Sequence, residues 1–117
     1  GVVIVTTPQE IALIDARRAA SMFEKTATPI LGVIENMAYF ADPATGVPIP
    51  IFGQGGGATE AERLGVPLLG QIPIDVALRQ ACDDGRPLGA TAPDSGPAKA
   101  FRQAAEMLRT RLGLARG

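Results

Sequence analysis

The sequence has no histidine and no tryptophan, a single cysteine, and only 4% aromatic residues. Lacking histidine, these residues cannot perform imidazole acid–base catalysis or build a metal site on imidazole nitrogens. The lone thiol, Cys82, cannot close an internal disulfide, which fits a reducing compartment and predicts a cytoplasmic protein. No stretch approaches the ~18 uninterrupted apolar residues needed to span a bilayer, so no membrane role is expected. The opening GVVIVTTPQE carries no basic segment and turns polar too early to be a secretion signal. An excess of either charge is missing too. Eleven Lys and Arg against twelve Asp and Glu give a net charge of −1, which offers nothing to nucleic acid.

What is present is the composition of an ordinary globular domain, 46% hydrophobic and 20% charged over 117 residues. Val2 to Val5 is a run of β-branched residues that predicts a strand buried on both faces. Thr7-Pro8-Gln9-Glu10 then reads as a helix start, with Thr7 as N-cap, Pro8 at the first helical position and Glu10 closing a capping box. Ile11, Ile14, Ala19, Met22 and Phe23 follow at helical spacing and predict the core-facing stripe, with Arg17, Arg18 and Glu24 facing water. Thr28-Pro29 ends the helix, and Ile30 to Glu35 predicts a second buried strand. Strand, helix and strand at this spacing form a βαβ unit, so the strands should be parallel and the crossover right-handed.

Residues 37–57 follow neither period and hold Pro43, Pro48, Pro50 and five glycines, which predicts a long loop with a small hairpin around Thr45-Gly46. Thr59 to Leu64 predicts a short helix ended by Gly65, and Leu68 to Ile72 a third strand. A helix over Val76 to Asp83, an irregular stretch from Gly85 to Gly96 and a last helix opened by Pro97 complete the pattern. On that helix Ala100, Phe101, Ala104, Ala105, Leu108 and Leu112 form the apolar stripe. Its basic residues Arg102, Arg109, Arg111 and Arg116 suit a packed surface helix better than a membrane anchor. The expected fold is α/β, three-layered, with a mostly parallel sheet and flanking helices. Three strands make a small sheet with an open edge, and a start on a core strand leads us to expect sequence before it.

In such a sheet, ligands bind beyond the carboxyl ends of the strands. Three polar segments fall there: Thr6-Thr7-Pro8-Gln9, Glu35-Asn36-Met37 and Pro73-Ile74-Asp75. The Asn36 carboxamide offers a donor and an acceptor, matching the paired groups on the edge of adenine. The alternative is that Asn36 and Asp75 only cap the segments that follow, Asp75 as a helix N-cap. Gly53-Gln54-Gly55-Gly56-Gly57 looks like a phosphate cradle but lacks the Lys-Ser/Thr pair of a phosphate loop, and a mobile connector is the favoured reading. Cys82 reads as a small half-buried side chain, and Glu60, Glu62, Asp83 and Asp84 as solvated helix faces. No carboxylate pair is marked as catalytic by its spacing.

Three strings go further: VVIVTTPQEIALIDARRAASMF, PILGVIENMAYF and IFGQGGGATEAERLGVPLLGQIPID. From Val2 to about Asp94, the ordered combination TTPQ…ENM…FGxGG…LGxIPxD resembles the C-terminal half of the Mrp (ApbC) family of iron–sulfur carrier ATPases. That family is similar in fold to MinD and ParA. The resemblance implies that residues 1–117 are the C-terminal part of a P-loop NTPase domain whose phosphate loop and switch strand lie upstream. It implies an ATP-binding homodimer that serves iron–sulfur apoproteins or assembly proteins. Asn36 then matches the position expected to read adenine, and Pro73 and Asp75 the segment lining the base on its other side. Pro8 and Gln9 match the turn after the strand beside the phosphate-loop strand. Without the phosphate-loop lysine, ATP hydrolysis by these residues alone is not expected.

The family often carries Cys-x-x-Cys just after Met-Ser-Tyr-Phe. Here the stretch from Met37 to Gly46 has no cysteine, so direct binding of a cluster, which needs about four thiolates, is not expected. Two other classes remain open. One is a MinD-like positioning ATPase, which a strongly apolar and basic C-terminal helix would favour. The other is a freestanding interaction module without nucleotide activity.

Overall fold

The computed structural model describes residues 1–113, and Arg116 lies outside them. The elements run β1 (Val2–Thr6), α1 (Glu10–Lys25), β2 (Ile30–Glu35), β3 (Phe40–Ala41), β4 (Pro48–Ile49), α2 (Gly56–Leu64), β5 (Leu68–Gln71), α3 (Val76–Asp84), α4 (Leu88–Thr91) and α5 (Gly96–Leu112). Strands β1, β2 and β5 form one sheet in that order with both pairings parallel, as the βαβ pattern requires. Right-handed crossovers advancing in one direction put α1 and α2 on the same face, where they touch each other. The other face is covered by α5, which also packs on α4.

The core is small and built largely from small side chains. Ile4, Val33, Ala16 and Ala61 form its centre, with Phe23, Ile30 and Leu64 packed around them. Leu69 and Ile72 are fully buried, and each such side chain contributes roughly 1.5–3 kcal/mol by leaving water. Helix α5 approaches β5 closely because both contact positions are small. A Cβ on Gly70 would lie 3.1 Å from the Ala104 Cβ.

Several sequence expectations change. Strand β1 is not buried on both faces: Ile4 and Thr6 are buried, while Val5 is 61% exposed because β1 is an edge of this sheet. Helix α1 starts two residues later than the cap motif suggests. Gln9, in extended conformation, is the N-cap and makes no side-chain capping bond, while the Thr7 hydroxyl donates to Gln9 Oε1 at 3.2 Å. The helix also buries a different face. Leu13, Ala16 and Ala20 point inward with Phe23 beside them, and Ile11, Ile14 and Met22 are exposed. Only small residues let α1 sit close to β1, so size overrides hydrophobicity in choosing the face.

The expected hairpin is present. Strands β3 and β4 pair antiparallel, and Asp42 accepts from the Gly46 N–H at its carbonyl and from the Ala44 N–H at its carboxylate. Gly46 closes the turn at φ +73°, a left-handed conformation that glycine adopts without strain. The stretch from Gly85 to Gly96, expected to be irregular, contains α4. Ser95 caps α5 by accepting from the Ala98 N–H, and Pro97 occupies its first turn. Of the α5 stripe, Ala104 is buried, while Phe101 and Leu112 remain about half exposed. Cys82 is exposed rather than half-buried.

Candidate functional site

Parallel pairing lines up the carboxyl ends of the strands, with Thr6 opposite Glu35 and Glu35 opposite Gln71. Backbone hydrogen bonds extend this row into the loops. The Asn36 N–H donates to the Thr6 carbonyl at 2.7 Å, Ala38 N–H to Ile72 at 3.0 Å and Ile74 N–H to Tyr39 at 2.7 Å. The segments after β2 and β5 therefore run side by side, and Asn36, Pro73 and Asp75 share one rim.

Asn36 is half-buried and borders a hollow of about 430 Å³ that Thr6, Thr7 and Asp15 also line. Its Oδ1 accepts from the Met37 N–H at 3.0 Å. Among the described residues its Nδ2 has no protein partner. The side chain can thus still donate through Nδ2, and the second lone pair of Oδ1 can still accept. Met37 adopts φ +51°, a left-handed conformation that costs a non-glycine residue about 1–3 kcal/mol and that clusters at ligand sites.

Pro73 is buried and Asp75 partly buried. The Asp75 carboxylate accepts from the Leu78 N–H at 2.9 Å and so caps α3, as its position before that helix suggests. Pro8 is buried as well, and its surroundings differ from those expected of a ligand turn. A Cβ on Gly53 would meet the Pro8 carbonyl at 3.2 Å, so the glycine run is packed directly on this turn. Gln9 is exposed and does not adjoin the Asn36–Asp75 rim through any hydrogen bond.

The glycine run is neither a phosphate cradle nor a free connector. Helix α2 begins inside it, at Gly56, after Gly55 takes φ +79° as its N-cap. The Gly57 N–H donates to Glu35 Oε2 at 2.6 Å, and the Gln71 amide donates to Glu35 Oε1 at 3.1 Å. The protein's own buried carboxylate therefore occupies the anion-attracting end of α2. A Cβ on Gly57 would stand 2.8 Å from the Glu35 Cβ, so only glycine allows this approach.

Glu60 was expected on a solvated face and is instead buried, at 1% exposure. Arg17 reaches it from α1, Nε to Oε2 at 3.1 Å, and Arg63 from the next turn of α2. The Arg63 hydrogen bond, aided by Arg17 and opposed by burial, holds the Glu60 carboxyl below its ordinary range. Glu60 in turn raises Arg63. Its position was legible in the sequence, because Gly57, Glu60, Ala61 and Leu64 fall at i, i+3, i+4 and i+7. Nothing in the chain order pointed to Glu35 as the tie between α2 and β5. Among the described residues no group of three or more His, Cys, Asp and Glu side chains is placed to hold a metal. No helix among them is long and apolar enough to cross a membrane.

Comparison with known proteins gives this geometry a context. A profile of the ParA family, described as NUBPL iron-transfer P-loop NTPase, matches residues 1–109. The chain is 51% identical over 108 residues to an iron-sulfur cluster carrier protein of Deinococcus radiodurans, covering 92% of this chain and 30% of that one. It is 43% identical over 102 residues to the iron-sulfur cluster transfer protein NUBPL of Dictyostelium discoideum, covering 87% and 32%. It thus spans about a third of the length of these relatives. Among solved structures it is similar to the Pyrococcus furiosus cell division ATPase MinD, with a TM-score of 0.67, 29% identity, and 92% and 41% of the two chains covered. A nucleotide-binding protein from Archaeoglobus fulgidus in complex with ADP gives a TM-score of 0.61 at 40% identity over 72% and 35%.

Proposed function

This chain belongs to the ParA family of iron-transfer P-loop NTPases, and from that premise we propose that it supplies the adenine-facing rim of an ATP site, together with a homodimer or partner surface. In the complete protein the nucleotide would drive iron–sulfur delivery to apoproteins or assembly proteins. The observation that carries this reading is the side-by-side course of the segments after β2 and β5, which puts Asn36 on one rim with Pro73 and Asp75. Asn36 would donate from Nδ2 to an adenine ring nitrogen and accept at Oδ1. Pro73 and the backbone beside Asp75 would line the base from the other side. Pro8 would act indirectly, by seating the glycine run, and Gln9 would face the neighbouring turn. A bound nucleotide supplies the phosphate anhydride, and the residues here hold only its base.

The cluster is cargo in this scheme. One exposed thiol, Cys82, cannot ligate it alone. A MinD-like positioning ATPase is the second reading, supported by the likeness to Pyrococcus furiosus MinD. Transfer of a cluster from the complete protein to an apoprotein separates the two. The direct test of the rim is Asn36→Ala in the complete protein. Loss of one or two hydrogen bonds should raise the ATP dissociation constant about tenfold. An unchanged constant would remove Asn36 from the base site.

A further inference from the structure

We propose that the outward face of α1 docks an acidic amphipathic helix of another protein. The face directly opposite the buried Leu13, Ala16 and Ala20 carries Ile11, Ile14, Arg18, Met22 and Lys25 at 100° per residue. A surface helix normally turns polar residues to water there. Here Ile11 is 74% and Met22 52% exposed. A single exposed apolar residue needs no explanation, but three large ones aligned along one helix do.

Charge identifies the occupant. A hollow of about 700 Å³ lies between Ile14 and Met22, and its charged lining is Arg17, Arg18 and Lys25 with no carboxylate. Arg17 is committed to Glu60 at 3.1 Å. Arg18 meets Asp15 only at 3.8 Å with both side chains mostly exposed, and Lys25 makes no ion pair among the described residues. Glu24, also on α1, lies on the side of Arg63. Two cations thus flank an apolar strip with little to satisfy them. A helix with apolar residues at i, i+3 or i+4 and i+7 would fill the strip, and flanking carboxylates would meet Arg18 and Lys25. From Ile11 to Met22 the strip is three turns long, ~16 Å. An anionic lipid surface fits less well, because Glu10 and Asp15 flank its Ile11 end.

The test uses the complete protein and two fluorescent synthetic helices of identical apolar pattern, one Leu/Glu and one Leu/Lys, read by anisotropy. The Leu/Glu helix should bind and weaken with added salt, while the Leu/Lys helix should not bind. Met22→Asp should weaken binding about tenfold. Arg18→Glu with Lys25→Glu should invert the preference towards the Leu/Lys helix, a gain that misfolding cannot imitate. The proposal is overturned if neither helix binds, if both bind equally, or if the double reversal leaves the preference intact. Binding to phosphatidylglycerol vesicles without binding to either helix would assign the face to lipid instead. Slow maleimide labelling of Met22→Cys in a Cys82→Ser background, against an exposed control, would show that the protein itself covers the face, and would also overturn it.

Discussion

At the scale of single residues, two buried carboxylates organise the molecule. Glu35 ties the start of α2 to the end of β5, and Glu60 ties α1 to α2 through Arg17 and Arg63. Burying a carboxylate is costly unless it is paired, and the arrangement around Glu60 meets that demand from two helices. Replacing Arg17 and Arg63 together by alanine would strand the charge and should destabilise the fold by roughly 2–4 kcal/mol in chemical denaturation. The triad also sets a pH dependence. The folded Glu60 carboxyl titrates below its ordinary 4.5, so its contribution is fully present above that value. The contribution fades as pH falls through the lowered folded value. Stability measured between about pH 3 and 7 should therefore drop on the acid side, and Glu60→Gln should flatten that drop. A drop of the same size in Glu60→Gln would assign the acid limb to other groups.

At the scale of elements, glycine placement decides how closely helices approach the sheet. Gly57 lets α2 rest on Glu35, and Gly70 lets α5 rest on β5. Gly57→Ala should cost about 1–3 kcal/mol through overpacking against the Glu35 backbone stem, visible as a lower melting temperature. Since the same change lifts α2 from the strand ends, the hydrogen bond from the residue 57 amide to Glu35 should lengthen. Faster hydrogen exchange at that amide would report it. Strand order, parallel pairing and the caps Asp75 and Ser95 all follow from local sequence, because each depends on neighbours along the chain. The start of α2 was not legible in the same way. Three consecutive glycines argue against helix by propensity, and only the contact with Glu35 and Pro8 overrides it.

At the scale of the whole molecule, the surface is uneven. The β3–β4 hairpin and the turn after it expose Val47, Ile49, Ile51 and Phe52. A two-stranded hairpin is marginal by itself, and its apolar side chains here have little of the fold to pack on. If this segment forms the dimer or partner surface of the complete protein, replacing residues 40–52 with a Gly-Ser linker should reduce dimerisation in analytical ultracentrifugation. Dimerisation at unchanged strength would place the interface elsewhere. The exposed Val5 edge of β1 and the outer face of α1 are separate surfaces, so the three can be tested independently.

The sequence alone determined the alternation of strands and helices, the parallel sheet, the hairpin and the family, because hydrophobic period, caps and ordered motifs are properties of adjacent residues. It also located the Asn36, Pro73 and Asp75 rim, since ligand positions in a parallel sheet follow from strand ends. Tertiary structure decided which face of α1 is buried, and that is a matter of fit. Leu13, Ala16 and Ala20 allow close packing on β1 where Ile11 and Met22 would not, although the pattern of hydrophobicity admits both. It also decided the fate of charge. Glu35 and Glu60 look like any other acidic residues until the fold brings a glycine amide, a glutamine and two arginines to them from 22 to 43 positions away in the chain, with Arg63 the one near neighbour.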